Sequence, residues 1–454
     1  MSNGVAGVCE TIGFCSFPDA SCDSGRKFEP GAPGGLGGEC VELCGQQGQP
    51  CCDGEVSCTG NAFCQSAMCE TCVLDVALGR RFICAVTYDG SVWCSGANDV
   101  GQLGNGASSA TPRAEPVQVR DEAGKVLTGV IDVGAGYDFA CAVKTDGTVW
   151  CWGANGVGQL GNGATLVPPA TTPPPPLPWA VQVLTTDDEP LTGVAEVVAG
   201  DSSACARLHT GGVQCWGDNR SGRLGDGETT ARSQADAVDS LSGVAAIDLA
   251  ADHACARTTA NNVLCWGDGG SGKLFTGDTD DQLSPVMIAN ASSVATGRHY
   301  TCIVGPDTTI SCAGWSGHGR LGHGTGEGRE GGGDELVPVQ TLTEVGGAPF
   351  SGVAQVAAGG VTCARMLDSS LYCWGDNTYG TTGTGTGSTV PERVKLADGT
   401  PLTNVERVVV HYQHACAITS AGELLCWGRN LNGELGNGTF LNQGFPAPYK
   451  LGCP

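Results

Sequence analysis

Apolar and polar positions alternate in short bursts along most of this chain, and the bursts come in sets of four. Val130-Ile-Asp-Val133 has the period-two pattern of a half-buried strand. Gly134-Ala-Gly136 permits a sharp turn, and Ala140-Cys-Ala-Val143 reads as a second strand. Lys144-Thr-Asp-Gly147 predicts a hairpin turn, with Gly where a positive φ is required. Thr148-Val-Trp-Cys-Trp152 is a third strand and Gly158-Gln-Leu-Gly-Asn-Gly163 a Gly-rich corner. After a loop, Ala180-Val-Gln-Val183 makes a fourth strand. Four short strands in a unit of about 50 residues predict a propeller blade.

Cysteine spacing marks the repeats. One separation recurs in Cys84 and Cys94, Cys141 and Cys151, Cys205 and Cys215, Cys255 and Cys265, Cys302 and Cys312, Cys363 and Cys373, and Cys416 and Cys426. In a hairpin centred on Asp146, Cys141 and Cys151 face each other, close enough to bridge. Seven such bridges are expected, each closing a short loop and contributing roughly 2.5 to 3 kcal/mol in the chain-entropy model. Zinc fits poorly, because each pair offers only two ligands. Residues 1–72 differ in kind: they hold 11 of the 26 Cys, little periodic pattern, and only Arg26 and Lys27 as basic residues. They are expected to form a disulfide-rich, loop-rich module ahead of a repeat domain over 73–454. One cysteine is left over, Cys453. With Tyr449-Lys-Leu451 ending the last repeat and Val73–Val76 starting the first, a bond from Cys453 to Cys72, or to a near neighbour such as Cys69, is expected to clasp the ring where those strands close.

The net charge of −24 disfavours nucleic acid and anionic membranes as partners. No apolar run is long enough to span a bilayer. The cysteines argue for an oxidising compartment, secreted or at the cell surface. The opening Met-Ser-Asn-Gly has no signal-peptide character, so the expectation is a mature chain with its leader removed.

The phrase Asp146-Gly147, Val149-Trp150, Trp152-Gly153, Asn155, Gly158-Gln-Leu-Gly161 resembles the repeats of the regulator of chromosome condensation family. Gly101-Gln-Leu-Gly104 and Gly433-Glu-Leu-Gly436 repeat it. Departures fall at Ser95, at Lys273-Leu-Phe-Thr276, at Trp315 and at Gly380-Thr-Thr-Gly383. The resemblance implies an all-β, seven-bladed β-propeller. It is closer to secreted bacterial members, some of which carry an N-terminal cysteine-rich module like Gly45-Gln-Gln-Gly-Gln-Pro-Cys-Cys52.

No catalytic motif, phosphate loop or calcium loop is present, and neither a metal nor a cofactor is expected. His411-x-x-His414 reads as packing rather than ligation, because His414 aligns with Phe139 and His253. The turn after each first strand varies while its flanking strands repeat. It gives the candidate binding residues Arg80, Arg81, Tyr137, Asp138, Asp201, Asp252, Arg298, His299, Tyr412 and Gln413. The insertions 167–179, rich in proline, and 322–334, rich in glycine, read as surface excursions, with a recognition loop as the alternative for either. The reading is a monomeric, non-enzymatic scaffold that binds a protein or glycan through one face. Alternatives are a carbohydrate or cell-wall binding module, a channel-mouth hydrolase or lyase, and a nucleotide exchange factor for a small GTPase.

Overall fold

The computed structural model describes residues 73–164, 175–326 and 332–451, with the short strands Ser16–Pro18, Arg26–Phe28, Ala62–Gln65 and Met68–Thr71. The expected bond between Cys72 and Cys453, most of the proline-rich insertion and the middle of the glycine-rich one lie outside the described residues.

From Val73 onward the chain forms seven four-stranded antiparallel sheets, each built from consecutive strands. Blade 2 is representative: Val130–Ala135, Phe139–Lys144, Val149–Gly153 and Leu177–Gln182, from the channel outward. The inner strands of the others are Val73–Leu78, Val194–Ala199, Val244–Leu249, Ser293–Thr296, Val353–Ala358 and Val405–His411.

All seven repeat disulfides form as the spacing predicts. Cys84 is bonded to Cys94, Cys141 to Cys151, Cys205 to Cys215 and Cys255 to Cys265. Cys302 is bonded to Cys312, Cys363 to Cys373 and Cys416 to Cys426. The two cysteines of a pair stand in direct register across the central hairpin, as Cys141 opposite Cys151, with Cα atoms 4.0–4.1 Å apart. Each bond therefore sits inside one blade, between its two middle strands.

Blades are held to each other by a recurring joint. The indole N–H of Trp152 donates to Gln102 O of the preceding blade at 3.0 Å. Trp216 does the same to Gln159 O, Trp266 to Arg223 O, Trp374 to Arg320 O and Trp427 to Thr381 O. All five indoles are fully buried. The carbonyl belongs to the Gly-rich corner, Gly-x-Leu-Gly in four of these joints and Gly380-Thr-Thr-Gly383 in the fifth, whose last glycine packs against the ring. Gly161 has φ +65°, and a β-carbon there would touch Val183 and the Trp216 indole.

Two joints depart from this form, and the departures compensate. Where blade 7 meets blade 1, the Trp position is Ser95 and the valine position, Val183 in blade 2, is Tyr449. The Tyr449 ring covers Gly436 as an indole covers Gly161 elsewhere. Ser95 Oγ lies 3.0 Å from Glu434 O and 3.2 Å from Tyr449 Oη, so the bond to the corner carbonyl is kept. Between blades 4 and 5 the Trp position is Ala313. The corner glycine is there replaced by Phe275, which adopts φ +63° and packs on the cluster containing Leu274 and Ala291. In both places a large ring on one side of the seam matches a small side chain on the other.

Among the described residues, ring closure is mainly by packing. Val73–Leu78 pairs in register only with Phe82–Thr87 of its own sheet, and Gln443–Pro448 with Leu424–Gly428. Val73, Val76 and Ile83 share a core with Ile418, Leu424 and Tyr449. Single backbone bonds add to it, such as Val73 N–H donating to Gly422 O at 2.9 Å.

Candidate functional site

The seven inner strands surround a channel with a cavity of about 580 Å³. Its inner strands carry acids, and three of them are engaged with the neighbouring blade. Asp75 Oδ2 accepts the Val133 N–H at 3.0 Å, and Asp132 Oδ2 the Val197 N–H at 2.7 Å. Asp248 Oδ2 accepts the Thr296 N–H at 2.6 Å. Gln355 makes the same link to both polar groups of Val408. Arg407 pairs with Asp75, bringing the last blade onto the first. Burial and the nearby Asp75 push the Asp132 carboxyl well above the usual range, and burial raises Asp248 to about 6.

One mouth of the channel is built from two sets of loops that chain direction places together. The first set is the turn after each inner strand; the second is the Gly-x-Leu-Gly corner. The first set is stitched across blades: Arg80 N–H donates to Tyr137 O at 3.3 Å, and Tyr137 N–H to Asp201 O at 3.2 Å. Blade 6 has Gly359-Gly360 in this slot, and a β-carbon on Gly360 would collide with Tyr412 O. That absence of a side chain lets the blade 7 loop lean inward. Tyr412, at φ +33°, then reaches Asp201 of blade 3, its hydroxyl 3.3 Å from both carboxylate oxygens.

Five of the residues singled out from sequence meet here. Tyr137 and Tyr412 contact edge to face, with ring centroids 6.0 Å apart. Arg80 stacks over Tyr137 at 4.2 Å and flanks Tyr412 at 6.0 Å; Arg298 lies over Tyr412 at 5.0 Å. Burial raises the Asp201 carboxyl, while Arg298 and the Tyr412 hydroxyl pull it down. Burial and Asp201 together raise the Tyr412 phenol.

The others are placed differently. Arg81 is a strut, 2.9 Å from Asp99 and 3.1 Å from Asp138. Asp252 is held by Lys273 at 2.9 Å, and against its burial the nearby His253 and Lys273 keep its carboxyl below the usual range. His299 turns its ring edge-on to Trp315, and burial lowers it to about 4. Gln413 contributes its carbonyl, which accepts from Thr381 Oγ1 at 2.9 Å and from the Arg429 N–H. His414 is fully buried with neither ring nitrogen bonded, and burial lowers it to about 3. Among the described residues no group of three or more metal-ligating side chains converges.

The corner loops supply site residues that the single-turn reading missed. Trp315 is one: Arg320 lies over it at 4.4 Å, and His318 meets it edge-on. Arg220 and Arg223 both pair with the buried Asp218. With Tyr137, Asp201, Asp252 and Arg298 they surround a second hollow of about 450 Å³ beside the channel. Aligning the corners as well as the turns finds Arg223 and Arg320: Gln102, Gln159, Arg223, Lys273, Arg320, Thr381 and Glu434 share one slot and differ in chemistry.

Sequence comparison decides the family. Profiles of the Regulator of chromosome condensation (RCC1) repeat match residues 73–102, 130–159, 194–223 and 412–434, and a second profile of that repeat matches 89–143, 146–207 and 368–418. The ultraviolet-B receptor UVR8 of Arabidopsis thaliana is 30% identical over 392 residues, covering 82% of this chain and 81% of the relative. The chain belongs to the RCC1 repeat family. Another member, the human E3 ubiquitin-protein ligase HERC2, is 29% identical over 368 residues; the match takes in 81% of this chain but 6% of that protein. Among solved RCC1-type folds, yeast RCC1 (Prp20) bound to Kap60 superposes with TM-score 0.61 at 20% identity, covering 80% of this chain and 84% of that one. Human WBSCR16 gives 0.61 at 21% identity, covering 76% and 86%. Those two likenesses concern the fold. No helix among the described residues is long and apolar enough to cross a membrane.

Proposed function

We propose that this RCC1-repeat propeller is a secreted or cell-surface scaffold that recognises a macromolecular partner through the mouth formed by Arg80, Tyr137, Asp201, Arg298 and Tyr412. The observation that carries the reading is their convergence from five blades onto one rigid rim, in the residue types that anchor interfaces. The loops are fixed by backbone bonds before any partner arrives, so little ordering entropy is lost on binding. The family context is consistent: a relative is named as a receptor, and yeast RCC1 was crystallised bound to Kap60. The seven disulfides support an oxidising compartment. The channel acids favour a scaffold over a hydrolase, because Asp75, Asp132 and Asp248 are engaged with the next blade's backbone.

The test is affinity capture with the folded, oxidised protein against secreted and surface molecules. Tyr412→Ala combined with Arg298→Gln should abolish capture while the melting temperature stays within a few degrees. Capture that survives this variant would remove the face from consideration. Intact mass after alkylation should show no free thiols; many free thiols would sink the extracellular assignment. Trp315 and Tyr412 lining the cavity favour a glycan as a second reading. It requires glycan binding that Trp315→Ala eliminates.

A further inference from the structure

The carboxylates of the mouth are occupied and two of its guanidinium groups are not. Asp99 and Asp138 hold Arg81, Asp201 holds the Tyr412 hydroxyl, Asp218 holds Arg220 and Arg223, and Asp252 holds Lys273. Arg80 and Arg298 are exposed, and among the described residues their side chains make neither an ion pair nor a hydrogen bond. Both are nevertheless fixed in place. Each lies over a tyrosine ring, and both flank the same ring, Tyr412. Stacking covers the face of a guanidinium and leaves its edge donors free, which is the arrangement that receives a carboxylate through two parallel bonds. Arg298 also lines both the channel cavity and the hollow beside it, so a group seated on it can enter either.

We infer that Arg80 and Arg298, supported by Tyr137 and Tyr412, form a receptor for one or two carboxylates of a protein partner, on an Asp- or Glu-bearing segment that inserts at the mouth. This rests on the reading of that mouth as the recognition face and specifies what it grips. A polyanion fits poorly. Asp138, Asp201 and Asp252 stand within the same rim, and the chain as a whole carries −24, so an anionic charge on every unit of a polymer would meet repulsion as soon as it left the two arginines. A peptide segment places a carboxylate on the arginines and offers amides or basic groups to the acids around them.

The experiment uses the full oxidised chain with ¹⁵N label. The side-chain Nε–H resonances of Arg80 and Arg298, assigned by their loss in R80Q and R298Q, are followed while a blocked Gly-Asp-Glu-Gly peptide is added to millimolar concentration. The probe should shift both resonances, and its Gly-Asn-Gln-Gly counterpart should shift neither. The R80Q/R298Q double variant should bind the acidic peptide roughly tenfold more weakly or worse. Equal shifts with the two peptides, or none with either, would overturn the carboxylate assignment. So would tight binding of a sulfated or phosphorylated polymer that displaces the peptide. Failure here is distinct from failure of the face itself: partner capture lost in Tyr412→Ala but retained in R80Q/R298Q keeps the face and removes the carboxylate.

Discussion

The joint between blades 2 and 3 and the seam between blades 7 and 1 do the same work with different residues. In the first, Trp216 fills the space over Gly161 and donates to Gln159 O. In the second, Tyr449 fills the space over Gly436 and Ser95 supplies the hydroxyl beside Glu434 O. One ring, one bond to the corner carbonyl and one glycine without a β-carbon are retained. What changes is which side of the seam contributes the ring. Such a joint is defined by filled volume and a satisfied carbonyl, because a close-packed interior tolerates neither a void nor an unpaired polar group. At the joint between blades 4 and 5, Phe275 stands where the corner glycine is usual and Ala313 where Trp is usual, so there too the ring is on the opposite side.

The most severe way to break the comparison is to empty both joints. Trp216→Ala should cost about 3–5 kcal/mol in denaturant unfolding, and Tyr449→Ala a comparable amount. A small effect of Tyr449→Ala would mean that the closing seam contributes less than an ordinary joint. Next comes the swap. Ser95→Trp alone overfills the seam and should cost about 1–3 kcal/mol. Adding Tyr449→Val recreates the usual pair and should recover most of that loss. A double-mutant cycle with no coupling would refute the exchange of volumes.

A smaller effect concerns the slot filled by Phe82, Phe139, His253 and His414, all fully buried. Phe82 and Phe139 need no hydrogen bonds, whereas both His414 nitrogens lack one. His414→Phe should stabilise by about 1 kcal/mol. It should also flatten the acid limb of stability. Below pH 6.5 the unfolded chain takes up a proton that the folded His414 accepts only near pH 3, so wild-type stability falls with pH across that window. His299 and His411, each lowered to about 4, act in the same direction. Asp248, raised to about 6, acts oppositely and favours the folded state as pH falls from 6 toward 4. Thermal melts at pH 7 and pH 4.5 should therefore differ less in His414→Phe than in wild type. The smallest effect belongs to the mouth: Arg80→Gln and Arg298→Gln should change stability by no more than about 0.5 kcal/mol, since neither is in an ion pair.

The propeller was legible because each blade is local. Strand alternation, the hairpin at Asp146 and the facing cysteines all lie within a few dozen residues. Ser95, Phe275 and Trp315 were visible as departures, but not as compensations. Ser95 answers Tyr449 from 354 residues away, and nothing in either repeat alone predicts the other. Aligned turns placed Arg80, Tyr137, Asp201, Arg298 and Tyr412 on one rim. They could not separate the tyrosine-stacked arginines from Arg81, whose role depends on where Asp99 and Asp138 sit in three dimensions.

Every disulfide among the described residues closes a hairpin within one blade, and none of them joins two blades. Under tension applied to the two ends of the ring, these covalent links would carry no load across a seam. In a variant with Cys72 and Cys453 replaced by serine, the seam between blades 7 and 1 would open first, held by the packing around Tyr449, a few hydrogen bonds and the Arg407–Asp75 pair. The remaining blades would then peel in turn, each in one step. The segment between its paired cysteines would stay hidden from the pulling force, and each step would be shorter by about 30 Å than that of the reduced protein. The staples therefore act as a memory of each blade: a ring that has been pulled apart and released begins refolding with its central hairpins already closed.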